Sequence, residues 1–303
     1  MIRLEGLRRS FGANQAVDDV TFSIPRAAIT ILAGADGAGK STLFRILVGL
    51  EPMDEGRILL EGEPVIPGSP KLRHRIGYMP ERFSLYPDLS VEENLNFFAD
   101  IHQVPRRRRE SLKERLLTDT GMEPFRKRRA GALSGGMKQK LALSSILLSS
   151  PDLVILDEPT TGVDPLSRLE FFSIIEELKR EGKTIVMATP YLDEAERGDM
   201  VVMLKEGRVL REASIGDLKR DFPARLIHLK PGGNVISEFQ KLQKIKTLQG
   251  RLFLKGNRIS LLHEKGGSLP PEVEKMEREA AVPSLEDIFI YYDRLGDTHG
   301  TDH

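Results

Sequence analysis

Residues Ala28–Leu50 read AITILAGADGAGKSTLFRILVGL. The first six are almost wholly apolar, as in a strand buried on both faces of a parallel sheet. The run from Lys40 onward reads as a helix. Between them lie Gly34, Gly37 and Gly39, with a cation, Lys40, at the helix start and the hydroxyls of Ser41 and Thr42 behind it. Glycines let successive backbone N–H groups turn inward, and a helix N-terminus adds partial positive charge. Gly34-Ala35-Asp36-Gly37-Ala38-Gly39-Lys40-Ser41 fits G-x-x-x-x-G-K-[ST]. In that pattern the backbone cradles phosphate oxygens, Lys40 reaches the β- and γ-phosphates, and the Ser41 hydroxyl binds Mg²⁺. A glycine-rich turn with a surface lysine is the bland alternative; the strand before and the helix after argue against it.

A second apolar strand, within LVILDEPTTGVDP from Leu153 to Pro165, ends in acids. Asp157 falls at a strand's carboxyl end, where ligands of open α/β sheets bind. There it is placed to hold Mg²⁺ through water, and Glu158 to act as the general base that polarises an attacking water. Adjacent acids after a strand more often mark a solvated turn; the phosphate loop upstream favours the chemical reading.

The 303 residues allow one large domain and a smaller one. Apolar residues at 40% support a packed core, charged residues at 30% keep the chain soluble, and a net charge of zero gives no global pull towards nucleic acid. The absence of cysteine excludes a disulfide scaffold and a thiolate metal site, and fits a reducing compartment. The start, MIRLEGLRRSFG, has no apolar stretch of signal-peptide length, and no run of about 18 apolar residues occurs. The expected location is cytoplasmic, with attachment to a membrane only through a partner.

VDDVTFSI, AAITILAG, RIGYMPE, DLVILDEP, KTIVMATP and DMVVMLKEGRVL read as strands, and GRILLEGEPV as a hairpin-like pair. MKQKLALSSILLSS reads as an amphipathic helix. SVEENLNFFADIH opens with Ser90 and Glu93, a capping box before an apolar face. From Ile101 to Lys140 the chain looks helical and strongly basic. Strands alternating with helices imply an α/β sheet with parallel character. Composition shifts after about Leu218 towards a small C-terminal α+β appendage, closed by PSLEDIFIYYDRL, a helix capped by Ser284. The expected domains are 1–220 and 221–303, with GDTHGTDH a disordered tail. His228 and His263 are isolated and read as ordinary surface or core residues.

Between the phosphate loop and the acids lies LSGGMKQK, Leu133 to Lys140. Ser134 caps a helix that starts beyond Gly135 and Gly136, leaving N–H groups at a positive helix end. This is a second anion site with no lysine of its own; the four residues alone fit a plain capped helix start as well. The combination GxxxxGKS … LSGG(M)xQ(K) … LDEPTTGVDP strongly resembles the ATP-binding subunit of ABC transporters, over residues 1 to about 220. SLEDIFIYY resembles the end of the ABC-2-type exporter subclass, which uses separate membrane subunits.

The resemblance implies a P-loop NTPase core with an antiparallel β-subdomain and a helical subdomain at about 82–150. It implies that ATP and Mg²⁺ lie in a head-to-tail dimer, between Gly34–Thr42 of one subunit and Ser134, Gly135 and Gly136 of the other. The second subunit is either a copy or a different ATP-binding subunit, and Asp164 would contact it. Phe11 stands where the family stacks an aromatic on adenine, although the residues alone fit a core position flanking a strand nearly as well; Val17 would pack near the same ring. MPERFSLYPDLSVEENL would face a transmembrane permease subunit, so that ATP binding and hydrolysis drive export from the inner face of the membrane. The basic run Arg106–Arg109 reads as a solvated helix face ahead of a contact with anionic lipid.

Two positions depart from the family. After RIGYMP it carries glutamine, whose amide oxygen approaches Mg²⁺ and the attacking water; here Glu81, a carboxylate able to ligate the metal, adds negative charge. After TIVMAT it carries histidine on the γ-phosphate; here Pro190 has neither a side-chain donor nor a backbone N–H. Losing one positioned donor to a transition-state oxyanion costs about 10²–10³ in rate. Thr189 and Tyr191 are the neighbours able to compensate. The expectation is ordinary MgATP binding with slowed hydrolysis. Two other classes compete. A soluble ABC-family ATPase acting on ribosomes or DNA repair is opposed by the single cassette and the membrane-coupling segment. An ATP-sensing regulatory module is favoured by Pro190 and Glu81 and opposed by Glu158.

Overall fold

The structure, a computed structural model, describes residues 1–82 and 85–295. Phe83, Ser84 and the tail 296–303 lie outside the described residues, and the expected disorder of GDTHGTDH falls there. The chain divides into two compact units, Met1–Glu212 and Ala213–His303.

The first unit begins with β1 (Ile2–Phe11) and β2 (Asn14–Ile24), paired antiparallel from Ile2↔Ile24 to Phe11↔Asn14. Sequence reading missed β1. Register shifts between Leu4 and Ser10 break its alternation, since each bulged residue turns the following side chains out of phase. β3 (Ile29–Ala33), buried at all five positions, feeds the phosphate loop and α1 (Lys40–Val48). β4 (Glu55–Leu60) and β5 (Glu63–Val65) form the expected hairpin and complete an antiparallel sheet in the order β2-β1-β4-β5.

After α2 (Pro70–Arg73) and β6 (Ile76–Met79) comes α3 (Val91–Ile101). Its capping box is formed: Ser90 Oγ accepts from Glu93 N at 3.2 Å, and Glu93 Oε2 accepts from Ser90 N at 2.7 Å. α4 (Arg106–Asp119) and α5 (Gly135–Leu147) follow. The stretch Ile101–Lys140 is therefore not one helix. Pro105, Gly121 at φ 65° and Pro124 interrupt it, leaving two single 3₁₀ turns at 123–125 and 130–132.

β7 (Leu153–Asp157), α6 (Pro165–Arg180), β8 (Thr184–Thr189), α7 (Leu192–Ala195), β9 (Met200–Lys205) and β10 (Arg208–Ser214) complete the elements around the second sheet. Its order is β10-β9-β3-β8-β7-β6, parallel from β9 to β6. DMVVMLKEGRVL forms two strands, not one. Glu206 and Gly207 take φ of 48° and 79°, the positive values that a two-residue hairpin turn demands at both central positions. One apolar cluster joins Leu4, Phe22 and Ile58 of the antiparallel sheet, Leu43, Phe44 and Leu47 of α1, and Ile155, Val186 and Val202 of the parallel sheet. Each such side chain contributes about 1.5–3 kcal/mol by burial, so α1 and the loop before it rest on a shared, rigid base.

The second unit holds α8 (Ile215–Arg220), β11 (Ala224–Lys230), α9 (Val235–Gln243), β12 (Leu252–Lys255), β13 (Arg258–Glu264), α10 (Pro271–Glu274), β14 (Glu277–Ala281) and α11 (Leu285–Leu295). Its sheet is antiparallel in the order β12-β13-β11-β14, over a core of Leu229, Leu242, Ile259, Leu261 and Val273. Ser284 starts α11 by exchanging bonds with Asp287, its N donating to Asp287 Oδ2 at 2.8 Å. His228 Nδ1 lies 3.0 Å from Ser260 Oγ, and His263 Nε2 lies 2.9 Å from Gly267 O, ordinary structural contacts. Among the described residues no helix is long and apolar enough to cross a membrane.

Candidate functional site

The register Ala33↔Thr189 and Asp157↔Ala188 brings the carboxyl ends of β3, β8 and β7 to one level. The phosphate loop, Asp157, Glu158 and Pro190 hang from that edge. α1 starts without a side-chain cap; its N-cap, Gly39, sits at φ 99°. A Cβ there would come under 3.0 Å from the Ala16 carbonyl oxygen, so both conformation and contact require glycine. The close approach sets β2 against the phosphate loop. A second clamp has little sequence signal beyond the Glu-Gly turn: Gly207 N donates to Ala38 O at 3.2 Å, and Gly207 O accepts from Asp18 N at 2.8 Å. Gly34 and Ala38 are buried, Ala35, Asp36 and Gly37 are exposed, and Ser41 and Thr42 are half-buried. The loop is anchored at its ends and open at its middle.

Lys40 is buried, and its Nζ donates to Gly34 O at 2.8 Å and Ala35 O at 3.1 Å, and lies 3.2 Å from Glu158 Oε1. Ser41 Oγ donates to Asp157 Oδ1 at 3.0 Å, and Tyr78 OH to Asp157 Oδ2 at 3.4 Å. Burial raises the Asp157 pKa, opposed by the Ser41 hydrogen bond and reinforced by the charges of Glu158 and, more weakly, Glu81. Burial, with Asp157 beside it, pushes Tyr78 up to about 12, so its hydroxyl stays a donor. Tyr78 is a site residue that sequence reading did not find. Glu158 adopts φ 49°, a left-handed conformation that costs about 1–2 kcal/mol outside glycine. Its N–H donates to Ala188 O at 3.1 Å, and Thr161 Oγ1 donates to its Oε2 at 3.4 Å.

A buried carboxylate beside a serine hydroxyl, under two further negative charges, fits a hard, oxygen-ligated dication such as Mg²⁺. Glu81 is exposed in the loop two residues beyond β6. Among the described residues no group of three or more His, Cys, Asp or Glu makes a self-contained metal cluster. Such an ion would fill its shell from phosphate and water, as Mg²⁺ commonly does.

Pro190 follows β8 at the same edge. Thr189 does not stand in for the missing imidazole. It is fully buried, its Oγ1 donates to Glu194 Oε2 at 2.6 Å, and it accepts from Tyr191 N at 3.0 Å. Glu194, also buried, accepts from Thr160 Oγ1 at 2.7 Å and lies 3.4 Å from Arg168 Nε. The Arg168 guanidinium covers the Tyr191 ring at 4.8 Å. Glu194 thus ties the loop after Glu158 to the end of β8, a link across 34 residues that no local pattern announces.

Ser134 caps α5, its Oγ accepting from Met137 N at 3.3 Å. Gly135 is exposed and Gly136 buried. Asp164 is the N-cap of α6; its Oδ1 accepts from Ser167 N at 3.0 Å, a bond that lowers its pKa. Phe11 is 45% exposed, so it is not a core residue, and the Arg9 guanidinium lies 4.7 Å from its ring. Val17 is fully buried and supports the hairpin from within.

A family model described as ABC transporter matches residues 17–161. The chain is 38% identical, over 98% of its length, to the probable multidrug ABC transporter ATP-binding protein YbhF of Escherichia coli (strain K12), and covers 52% of that protein. It is 32% identical to the Nod factor export ATP-binding protein I of Rhizobium sp. (strain N33), with 95% of each chain covered. This chain belongs to the ABC transporter ATP-binding family. The dimeric structure of MJ0796, a bacterial ABC transporter cassette, matches with a TM-score of 0.64 at 25% identity, over 71% of this chain and 99% of that one. The chain spans about half the length of YbhF. The segment matched by the ABC transporter model ends before Pro190, Glu194 and the whole of the second unit.

Proposed function

We propose that this chain binds MgATP at its phosphate loop and couples ATP binding and hydrolysis to export through a separate transmembrane permease subunit. The observation that carries the reading is the meeting of Lys40 with Glu158 and of Ser41 with Asp157, at 3.2 and 3.0 Å. A cation, a hydroxyl and two acids suited to phosphoryl transfer converge on one sheet edge. Lys40 exchanges the Glu158 carboxylate for β- and γ-phosphate oxygens. Glu158, so released, orients the attacking water and accepts its proton as the bond to γ-phosphorus forms and the bond to the ADP oxygen breaks. Ser41 and, through water, Asp157 would hold Mg²⁺, which would supply charge neutralisation on the phosphate oxygens.

The exposed Ser134–Gly135 helix start, with Gly136 behind it, closes the pocket of a second, head-to-tail subunit, either a copy or a different ATP-binding subunit. The dimeric form of the related cassette supports this arrangement. One relative is named as a transporter subunit and another as an export subunit, which supports a membrane partner; its seat in this reading is Met79–Leu95, of which Phe83 and Ser84 lie outside the described residues, at the inner face of the membrane.

Pro190 offers no donor, Thr189 is committed to Glu194, and Tyr191 gives its N–H to Thr189 and its ring face to Arg168; on this reading the chain's own site turns over slowly, by about 10²–10³ against a site with the donor. Steady-state ATPase of the purified chain, beside Pro190→His and Glu158→Gln, tests the assignment. Pro190→His is expected to raise kcat, and Glu158→Gln to abolish turnover and hold an ATP-loaded dimer in size-exclusion chromatography. Full wild-type turnover that Pro190→His leaves unchanged overturns the slow site. No ATP binding, and no dimer with Glu158→Gln, overturns the assignment itself. The same Pro190 and Thr189 arrangement favours an ATP-sensing module as a second reading; co-purification with a polytopic membrane protein separates the two.

A further inference from the structure

We infer that Arg9 is a positioning residue for nucleotide recognition, its guanidinium backing the Phe11 ring and holding that ring for a purine base. The inference rests on the ATP-binding reading above. Phe11 is the last residue of β1, beside the Gly12-Ala13 turn, with nearly half of its surface exposed. An aromatic ring at a hairpin tip has rotamer freedom that stacking must quench. Arg9 quenches it in advance, with its guanidinium carbon 4.7 Å from the ring centroid.

Arg9 is itself held from both ends of its fork. Nη2 donates to Glu51 Oε1 at 2.7 Å and Nη1 to Asp54 Oδ1 at 2.8 Å. Asp54 Oδ2 accepts from Ser10 N at 2.7 Å, so the same acid pins the backbone between Arg9 and Phe11. Arg9 Nε is buried with no hydrogen-bond acceptor, a position the flat guanidinium tolerates where a π face covers it. Across the hairpin Arg9 pairs with Val17, whose neighbour Ala16 abuts Gly39 of the phosphate loop. The Arg9–Phe11 stack therefore stands on the strand pair that abuts the phosphate cradle, with one ring face taken by the cation and the base assigned to the other. A lysine keeps the charge but has no flat face.

The test measures binding of MgATP and of Mg-tripolyphosphate, which has the phosphates and no base, by calorimetry. Arg9→Met is expected to weaken MgATP about two- to fivefold, the order of the ordering cost of one freed side chain, and to leave tripolyphosphate unchanged. Arg9→Lys, which retains charge opposite Glu51 and Asp54, is expected to show the same selective loss. In a Phe11→Ala background neither change has any further effect, because the ring through which Arg9 acts is gone. Equal weakening of both ligands, the same loss without Phe11, or wild-type ATP affinity in Arg9→Lys overturns the inference. If wild type binds tripolyphosphate as tightly as ATP, the base contact fails while the phosphate-loop reading stands; if it binds neither, that reading fails.

Discussion

Gly135 and Gly136 adjoin at the start of α5, and their surroundings make opposite demands. Neither is among the glycines at positive φ, so the backbone accepts alanine at both. A Cβ on Gly136 would lie 2.6 Å from Ser167 Oγ of α6 and nearer still to Ser167 Cβ, whereas ordinary contact begins at 3.4 Å. The hydroxyl can rotate away but the Cβ, at 2.4 Å, cannot, so relief to the 3.4 Å of ordinary contact requires the two helices to part by about 1 Å. Overpacking of this kind costs about 1–3 kcal/mol, and the better helix propensity of alanine returns at most about 1 kcal/mol, less in a first turn. Gly136→Ala should therefore lose about 2 kcal/mol, or about 4–8 °C in Tm for a unit of this size. A Cβ on Gly135 meets only Gly162 O, at 3.6 Å. Gly135→Ala should melt at or above wild type, yet lose ATP-driven dimerisation, because its methyl group stands on the exposed helix start proposed to face the neighbouring nucleotide. Thermal denaturation without nucleotide, and size-exclusion of each variant in the Glu158→Gln background, measure the two effects. Ser167→Gly removes the opposing Cβ and hydroxyl, and in a double-mutant cycle should return at least about 1 kcal/mol of the Gly136→Ala loss. Equal stability of the two alanine variants, or a Gly136→Ala loss that Ser167→Gly does not reduce, refutes the packing argument.

The raised pKa of Asp157 means that its neutral form favours folding at low pH and that this contribution is lost as pH rises through the raised value. Asp157→Asn, which still accepts from Ser41 but cannot ionise, should raise Tm at neutral pH without nucleotide, and the gap to wild type should close as pH falls towards about 4, the ordinary aspartate value; a pH-independent gap contradicts this. Glu194→Ala strands the hydroxyls of Thr160 and Thr189 and the charge of Arg168 together, a loss of about 3 kcal/mol in urea unfolding. Glu194→Gln keeps an acceptor and should lose about half as much or less; equal losses would remove the network from the account.

The parts of this protein legible in the chain are those built from neighbours in sequence. The phosphate cradle is contiguous backbone, so three glycines, a lysine and a serine between an apolar strand and a helix announce it. Ser90 and Glu93, Ser134, and Asp157 with Glu158 are legible for the same reason: a cap or a strand end is completed within a few residues. β1 escaped because bulges scramble its alternation, and the Ile101–Lys140 stretch misled because basic, helix-tolerant composition conceals Pro105 and Gly121. The assembly of the site belongs to contacts between distant segments, which leave no periodic trace. Ser41 meets Asp157 across 116 positions, Asp18 meets Gly207, and Thr160 meets Glu194 across 34. All three depend on the sheet order that sets β8 between β3 and β7 and β9 beside β3. Composition names the groups that face a phosphate; burial, register and strand order determine which of those groups remain free to act.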